Sequence, residues 1–205
     1  MEKKSSIILM VIALVTLLVS VIGATFAYFT TGRTVSNLNV TANTHGAAAF
    51  TATPGSGIAL NITADKMQQT NVSNTTPSAT GSSTLTVKLT SPANNTNVSC
   101  TYDIKYIDTG DAYTKVSATG YNYEFSLEGT GKTGSTNEAK SMAVTDYSTL
   151  TSKTTTVVSG ASISASTTTG TTTVWTFTAK FYNVNAAQAT NKKYAGNFFV
   201  DNVKC

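Results

Sequence analysis

Two hydrophobic rhythms divide this chain. Residues 7–27 are apolar almost without a break, and beyond residue 47 apolar and polar positions alternate. Alternation with period two over four to eight residues marks a half-buried β-strand. It predicts a strand over 58–63 with Ile58, Leu60 and Ile62 inward, and one over 83–90 with Leu85, Val87 and Leu89 inward. The clearest case is 98–106. There Val98, Cys100, Tyr102, Ile104 and Tyr106 share one face, and Ser99, Thr101, Asp103 and Lys105 the other. Residues 121–127 repeat the pattern through Tyr121, Tyr123, Phe125 and Leu127, and 174–181 through Trp175, Phe177, Ala179 and Phe181. In the last strand, 197–205, Phe199, Val203 and Cys205 fall on the face of Asp201. Residues 138–165 suggest three short strands around Met142 and Val144, Val157 and Val158, and Ile163.

Between these runs, residues 65–82, with Pro77 and Gly81, read as a surface loop, and 92–97 as a turn. Gly129-Thr130-Gly131-Lys132-Thr133-Gly134 reads as a flexible Gly-rich loop, so that 128–137 joins 65–82 as a candidate contact surface. No stretch beyond residue 27 sustains the i, i+3, i+4, i+7 spacing of an amphipathic helix, and 186–191 is the one weak helical candidate. Eight or nine short strands separated by turn signals predict an all-β, antiparallel β-sandwich over 47–205.

Composition supports strands over disorder. Charged residues make up 12% of the chain, about half of the usual fraction. Disordered chains combine low hydrophobicity with high charge and few aromatics, whereas this one has nine Tyr, eight Phe and one Trp. Threonine is the commonest residue, and β-branched and aromatic side chains pack well on a pleated surface.

The net charge is +4 over the whole sequence. Without Glu2, Lys3 and Lys4 it is +3, from 12 Lys and Arg against 9 Asp and Glu. The basic residues are scattered, which lacks the clustered face that nucleic-acid binding needs.

The apolar run follows Lys3 and Lys4 and ends at small residues, the layout of a secretory signal. It is also long enough for about one membrane span, so cleavage near Ala27 and retention as an anchor both remain open. Either way, residues 28–205 cross the membrane. For an exported chain, two cysteines, Cys100 and Cys205, suggest a disulfide, with free thiols or a bridge between chains as the alternatives. Cys100 is on an inward face, and Cys205 reaches it if the last strand lies beside 98–106.

The junction Gly23-Ala24-Thr25-Phe26-Ala27-Tyr28-Phe29-Thr30 resembles the signals cut by the SipW type of signal peptidase. Thr25, Phe26 and Ala27 would precede the cut, and Tyr28 and Phe29 would follow it. The cargo of that peptidase is the TasA/camelysin family, secreted β-sandwich proteins of biofilm fibres and cell surfaces. Tyr182-Asn183, Gln188 and Tyr194-Ala195-Gly196 are similar to the closing hairpin of the same family. The resemblance implies a jelly-roll type of sandwich. It also implies head-to-tail homopolymers in which the mature N-terminus adds a strand to the neighbouring subunit. Residues 28–46 form the extended segment that would serve. Its candidate donor strand is 33–43, with Val35, Leu38 and Val40 as plugs, though it reads equally as the first strand of its own domain.

Catalysis finds little material. His45 is the single histidine, and no H-E-x-x-H motif is present. One branch of the resembled family, camelysin, is described as a metalloprotease, but one His with scattered carboxylates does not make a His-rich zinc centre. Gly131-Lys132-Thr133 lacks the glycine that a phosphate loop requires at position 126, which is Ser. Asp108-Thr109-Gly110-Asp111 lacks the EF-hand spacing and reads as a turn. Asn39, Asn61, Asn71, Asn74, Asn94 and Asn97 stand in glycosylation triplets, which a Thr-rich chain produces by chance.

The sequence is therefore read as a non-enzymatic, secreted structural subunit of an extracellular fibre or biofilm matrix, with no cofactor or metal. Its partners would be the SipW-type peptidase, other copies of itself and further matrix proteins. Nucleic acid is excluded, and membrane contact is confined to residues 7–27. The alternative is a monomeric, adhesin-like surface module held by an uncut 7–27; a secreted hydrolase is a distant third.

Overall fold

In the computed structural model, residues 42–44, 48–133, 136–151, 153–185 and 188–205 are described. All belong to one compact unit, Ser36–Cys205. The signal or anchor at 1–27, the cleavage residues Thr25, Ala27 and Tyr28, the plugs Val35, Leu38 and Val40, and His45 lie outside the described residues.

The alternating sequence folds into ten strands: β1 Ala42–Thr44, β2 Ala48–Pro54, β3 Ile58–Ile62, β4 Ala79–Thr90, β5 Val98–Asp108, β6 Phe125–Thr133, β7 Thr136–Asp146, β8 Thr154–Ala165, β9 Thr171–Phe181 and β10 Lys192–Lys204. They form two antiparallel sheets, ordered β1-β2-β4-β9-β6-β7 and β3-β10-β5-β8. Only the hairpins β1–β2 and β6–β7 stay within a sheet, and every other connection passes from one sheet to the other. That topology makes a β-sandwich, with one apolar face of each strand turned to the core.

The core is aromatic. Phe177 of β9 stacks on Phe198 of β10 at 3.8 Å, across the two sheets. Phe125 of β6 stacks on Tyr147 at 3.9 Å. Trp175 is fully buried, and its indole N–H donates to the Tyr102 hydroxyl at 3.0 Å, again between sheets. A buried Trp or Tyr needs such a partner, because an unmet polar group in a dry core costs free energy. Threonines take the opposite face. Along β4, Thr84 is exposed and Thr86 half-buried while Leu85, Val87 and Leu89 are buried.

Four sequence expectations need correction. Gly129–Thr133 is not a loop but the second half of β6. Gly129 stands opposite Phe177 and Gly131 opposite Trp175. A Cβ on Gly129 would lie 2.5 Å from the Phe177 ring, and one on Gly131 2.7 Å from the indole. The glycines are there to seat two aromatic rings on the neighbouring strand, a role that turn statistics do not anticipate. Residues 79–82, assigned to a loop, begin β4. Residues 138–165 form two long strands joined around Tyr147–Thr149 rather than three short ones. Tyr147, buried at that corner, is a core anchor that the pattern misses. Finally, the strand expected over 121–127 starts at Phe125, and residues before it belong to a loop.

Candidate functional site

Three features beyond the core bear on function: a seam along β5 and β10, a set of loops at one end, and the sheet edges.

At the seam, β10 lies antiparallel to β5 from Gly196↔Asp108 to Asp201↔Asp103. The register then shifts, and the next pair is Lys204↔Thr101. Three steps on β10 thus match two on β5, which is a β-bulge. Asn202 sits there with φ of 51°, a left-handed conformation that Asn tolerates better than most residues. The bulge has a consequence for the cysteines. Before it, Phe198 and Val200 face inward and Phe199 and Asp201 outward, so strict alternation would send Cys205 outward. One extra residue reverses this and sets Cys205 against the inward Cys100. The Cys100–Cys205 disulfide is formed, with the two Cα atoms 4.0 Å apart. The face assigned from sequence to Phe199 and Cys205 together is therefore split by Asn202.

Asp103, on the outer face of β5, braces this arrangement. Its Oδ2 accepts from the Asn202 amide at 2.7 Å. Its Oδ1 accepts from the Gly160 N–H at 2.8 Å and the Ser159 hydroxyl at 3.2 Å. Gly160, at φ 63°, occupies a second bulge, in β8 on the other side of β5. One carboxylate thus ties two bulges to the central strand. The Asn202 amide, followed by the Gly160 N–H, holds its pKa below the ordinary value of 3.8. Lys105 and Asp201 form an ion pair on the same face.

The loops at 63–78, 109–124 and 182–191 meet at one end of the sandwich, where β3, β5 and β9 finish and β4, β6 and β10 begin. Glu124 is buried there, and it accepts from the Tyr113 hydroxyl at 2.9 Å, Val116 N–H at 2.8 Å and Ala118 N–H at 2.6 Å. A buried carboxylate is tolerable only when so paired. Gln188 donates to Tyr113 and to the Tyr182 carbonyl, and accepts from Val184 N–H. Asn183 donates to the Gln68 carbonyl and accepts from Asn185 N–H through its side chain. Asn183 and Gln188, singled out in the sequence as a closing-hairpin motif, lash the three loops together. Glu124 and Tyr113 were missed. A lone acidic residue inside an aromatic run, in a chain so poor in charge, was the available signal. Of the loops expected at 65–82 and 128–137, the first is a loop as far as residue 78, and the described residues of the second lie in β6 and β7.

Among the described residues, no group of three His, Cys, Asp or Glu side chains comes together to hold a metal. Lys132 is on a strand, and Asp111 is engaged with the start of β10, its Oδ2 accepting from Lys193 N–H at 2.7 Å. Among the described residues, no helix is long and apolar enough to cross a membrane.

The edges differ in how far they are closed. β8 carries no charge but is broken by two register shifts, and bulges twist an edge away from new partners. β3 is five residues long, and a Cβ on Gly81 of β4 would run into Leu60. β7 has Glu138, Lys140 and Asp146 in its sequence. Among the described residues, β10 beyond Gly196 has no strand on its β3 side, but it holds the Asn202 bulge with Asp201 and Lys204. β2 is different. Among the described residues, β1 pairs with Ala48, Ala49 and Phe50. From Thr51 to Pro54 its outer edge has no partner among the described residues, no bulge and no charge.

No protein-family model matches this sequence, and no curated protein matches it either.

Proposed function

We propose that this chain is a secreted, non-enzymatic structural subunit of an extracellular fibre or biofilm matrix, assembled head to tail by N-terminal strand donation. The observation that carries the reading is β1, the strand at the edge of its sheet beside β2, to which the N-terminal sequence leads. A strand at a sheet edge is a template for pairing with another chain, and folded proteins normally protect such edges. The sequence ahead of β1 carries apolar residues at Val35, Leu38 and Val40. A strand given by one copy to the next makes a heterologous contact, which propagates as a filament unless it closes. Main-chain hydrogen bonds supply the affinity.

Support also comes from the resemblance of residues 23–30 to signals of the SipW type, which places the chain in the TasA/camelysin family as a proposal. On that reading Thr25, Ala27 and Tyr28 define the cut, and the SipW-type peptidase is the processing partner. The passage of successive strands between sheets fits a jelly-roll. The domain requires no cofactor on this reading, and further matrix proteins would join the fibre as partners.

The second reading, a monomeric surface module held by residues 7–27, is favoured by one observation. The three longest loops gather at one end of the sandwich, the usual place for a contact surface. Negative-stain electron microscopy separates the two readings. A chain beginning at Tyr28 is expected to form filaments, and one beginning at Gly46 to remain monomeric. Monodisperse particles from both, over a range of concentration and pH, would reject self-assembly and leave the surface module.

A further inference from the structure

We infer that Cys205 is the sulfur through which this domain exchanges disulfides, and that Cys100 is the resolving thiol that closes the bond from inside. The reacting partner is an oxidant that itself carries a disulfide. The inference rests on the export part of the proposed reading, since disulfides form and persist in oxidising compartments. It adds the site, the order of steps and the chemical class of the partner.

The two halves of the bridge stand in different surroundings. Cys100 is 1% exposed, on the inward face of β5 between Val98 and Tyr102. Ile163 of β8, itself buried, stands opposite it on one side. On the other side lies the end of β10, where Lys204 pairs with Thr101 and Cys205 reaches Cys100 through the disulfide. Cys205 is exposed, and so is Lys204 before it. A thiol reacts as its thiolate, which a neighbouring cation favours and apolar surroundings disfavour. Access and ionisation therefore select the same sulfur, that of Cys205.

The chemistry runs in two steps. The Cys205 thiolate attacks one sulfur of the oxidant's disulfide. A mixed disulfide forms, and the oxidant's other sulfur leaves as a thiolate. Cys100 then gives up its proton and attacks Sγ of Cys205, so that the Cys100–Cys205 bond forms and the oxidant's second sulfur leaves. The two protein thiols together lose two electrons, and the oxidant ends as two thiols carrying the two protons. Run backwards, this order protects the bond. A reducing thiolate that reaches the exposed sulfur of Cys205 must expel Cys100 as a thiolate into apolar surroundings, and a thiol that ionises poorly leaves slowly. The bond closes readily and reopens only when the end of β10 lifts away.

The bulge serves the second step. One extra residue at Asn202 turns Cys205 to the face of Cys100, and Asp103 holds the Asn202 amide from β5. Asn202 is thus a positioning residue for the closing attack and has no part in the first one.

Reaction with oxidised glutathione tests the assignment. The chain beginning at Tyr28 is prepared as Cys100→Ser and as Cys205→Ser, and adduct formation is followed by intact mass. Folded Cys100→Ser, with Cys205 free, is expected to take up glutathione at least about 100-fold faster than folded Cys205→Ser, whose buried thiol reacts only through local opening. In urea the two rates should converge. Similar rates in the folded state, or a faster Cys100, would overturn the inference. If either variant does not fold, the reduced parent chain is oxidised with glutathione, quenched with acid and digested. Glutathione found first on Cys205 supports the order of steps, and glutathione found first on Cys100 overturns it. Asn202→Ala in the parent should leave uptake at Cys205 unchanged and lengthen the life of the mixed disulfide severalfold; an unchanged lifetime would overturn the role given to the bulge. Repeating the comparison with an oxidoreductase of the thioredoxin type separates the sources of the oxidant. Faster reaction through Cys205 than with glutathione assigns an enzyme, and slower reaction a small disulfide. Two free thiols in the chain collected outside the cell would remove the export reading, and this inference with it. A formed bridge with equal rates at the two cysteines would overturn the inference alone.

Discussion

The β5–β10 seam and the β2 edge are built to opposite specifications. At the seam, a strand ladder, a disulfide, an ion pair and two bulges tied to Asp103 fix the end of β10 against a central strand. At the edge, β1 touches β2 through three residue pairs, and β2 runs on beyond it unaccompanied among the described residues. The seam makes the sandwich able to stand as a unit. On the proposed reading, the edge is where a further strand adds. A subunit that exchanges strands needs both, because the acceptor must stay folded while its own first strand is away.

The largest effect should come from breaking the seam. Cys100→Ser with Cys205→Ser opens a loop of 105 residues, worth about 4–5 kcal/mol in the chain-entropy model. Urea unfolding should show most of that loss. Removing residues 28–45 from the other side should change the stability of the monomer by less than the disulfide does while abolishing filaments, since among the described residues β1 makes three pairs at a sheet edge. Equal losses from the two changes would erase the contrast.

Next, Glu124→Ala should cost about 3 kcal/mol, because it strands the Tyr113 hydroxyl and two backbone N–H groups in a buried site. Filament formation at a temperature where the variant is still folded should persist, as Glu124 is remote from β2 in the sheet order. Loss of filaments from a folded variant would tie the loop end to assembly and favour the surface-module reading.

At the bulge, Asn202→Ala should destabilise by about 1 kcal/mol more than Asn202→Gly and slow disulfide formation further, because both lose the amide bond to Asp103 but only the former opposes a left-handed φ. Oxidative refolding followed by thiol counting reads both. The Asp103 brace gives a pH signature. Its folded pKa is depressed, so its contribution is present above the ordinary carboxylate value and lost as pH falls through the folded value. Stability should drop on going below about pH 4, with a shallower drop in Asp103→Asn.

The smallest effect is at Tyr194. Its hydroxyl is buried without a hydrogen-bond partner, and burial pushes its pKa up to about 12. Tyr194→Phe should therefore be neutral within about 0.5 kcal/mol. In the parent protein, the folded pKa lies above the unfolded one. Its contribution is complete below about pH 10 and is lost between there and about 12, and the Phe variant should lack that part of the alkaline loss.

The sandwich was legible in the sequence wherever period two was uninterrupted. Leu85 to Leu89, Cys100 to Tyr106 and Trp175 to Phe181 all face the core as the alternation requires. The pattern failed where a single residue carries a three-dimensional demand. Gly129 and Gly131 look like a turn until Phe177 and Trp175 are seen above them. Asn202 looks like one more polar position, yet it decides which way Cys205 points. Alternation over 121–127 turns Glu124 outward, whereas its burial depends on loop groups 6 to 11 residues away. Asn183 and Gln188 were noticed as a motif, but their action on Gln68 and Tyr113 needed the fold. The candidate edge was half legible. Leu38 and Val40 stood out as apolar in a polar segment, whereas the place of β1 and β2 at the edge of their sheet did not.

The most direct test of the account is hydrogen exchange at the Ala52 amide. It should be compared between filaments of the chain beginning at Tyr28 and monomers of the chain beginning at Gly46. The account predicts fast exchange in the monomer and strong protection in the filament, because the outward N–H of Ala52 is the donor that an incoming strand must meet. Filaments in which Ala52 exchanges as fast as in the monomer would contradict it.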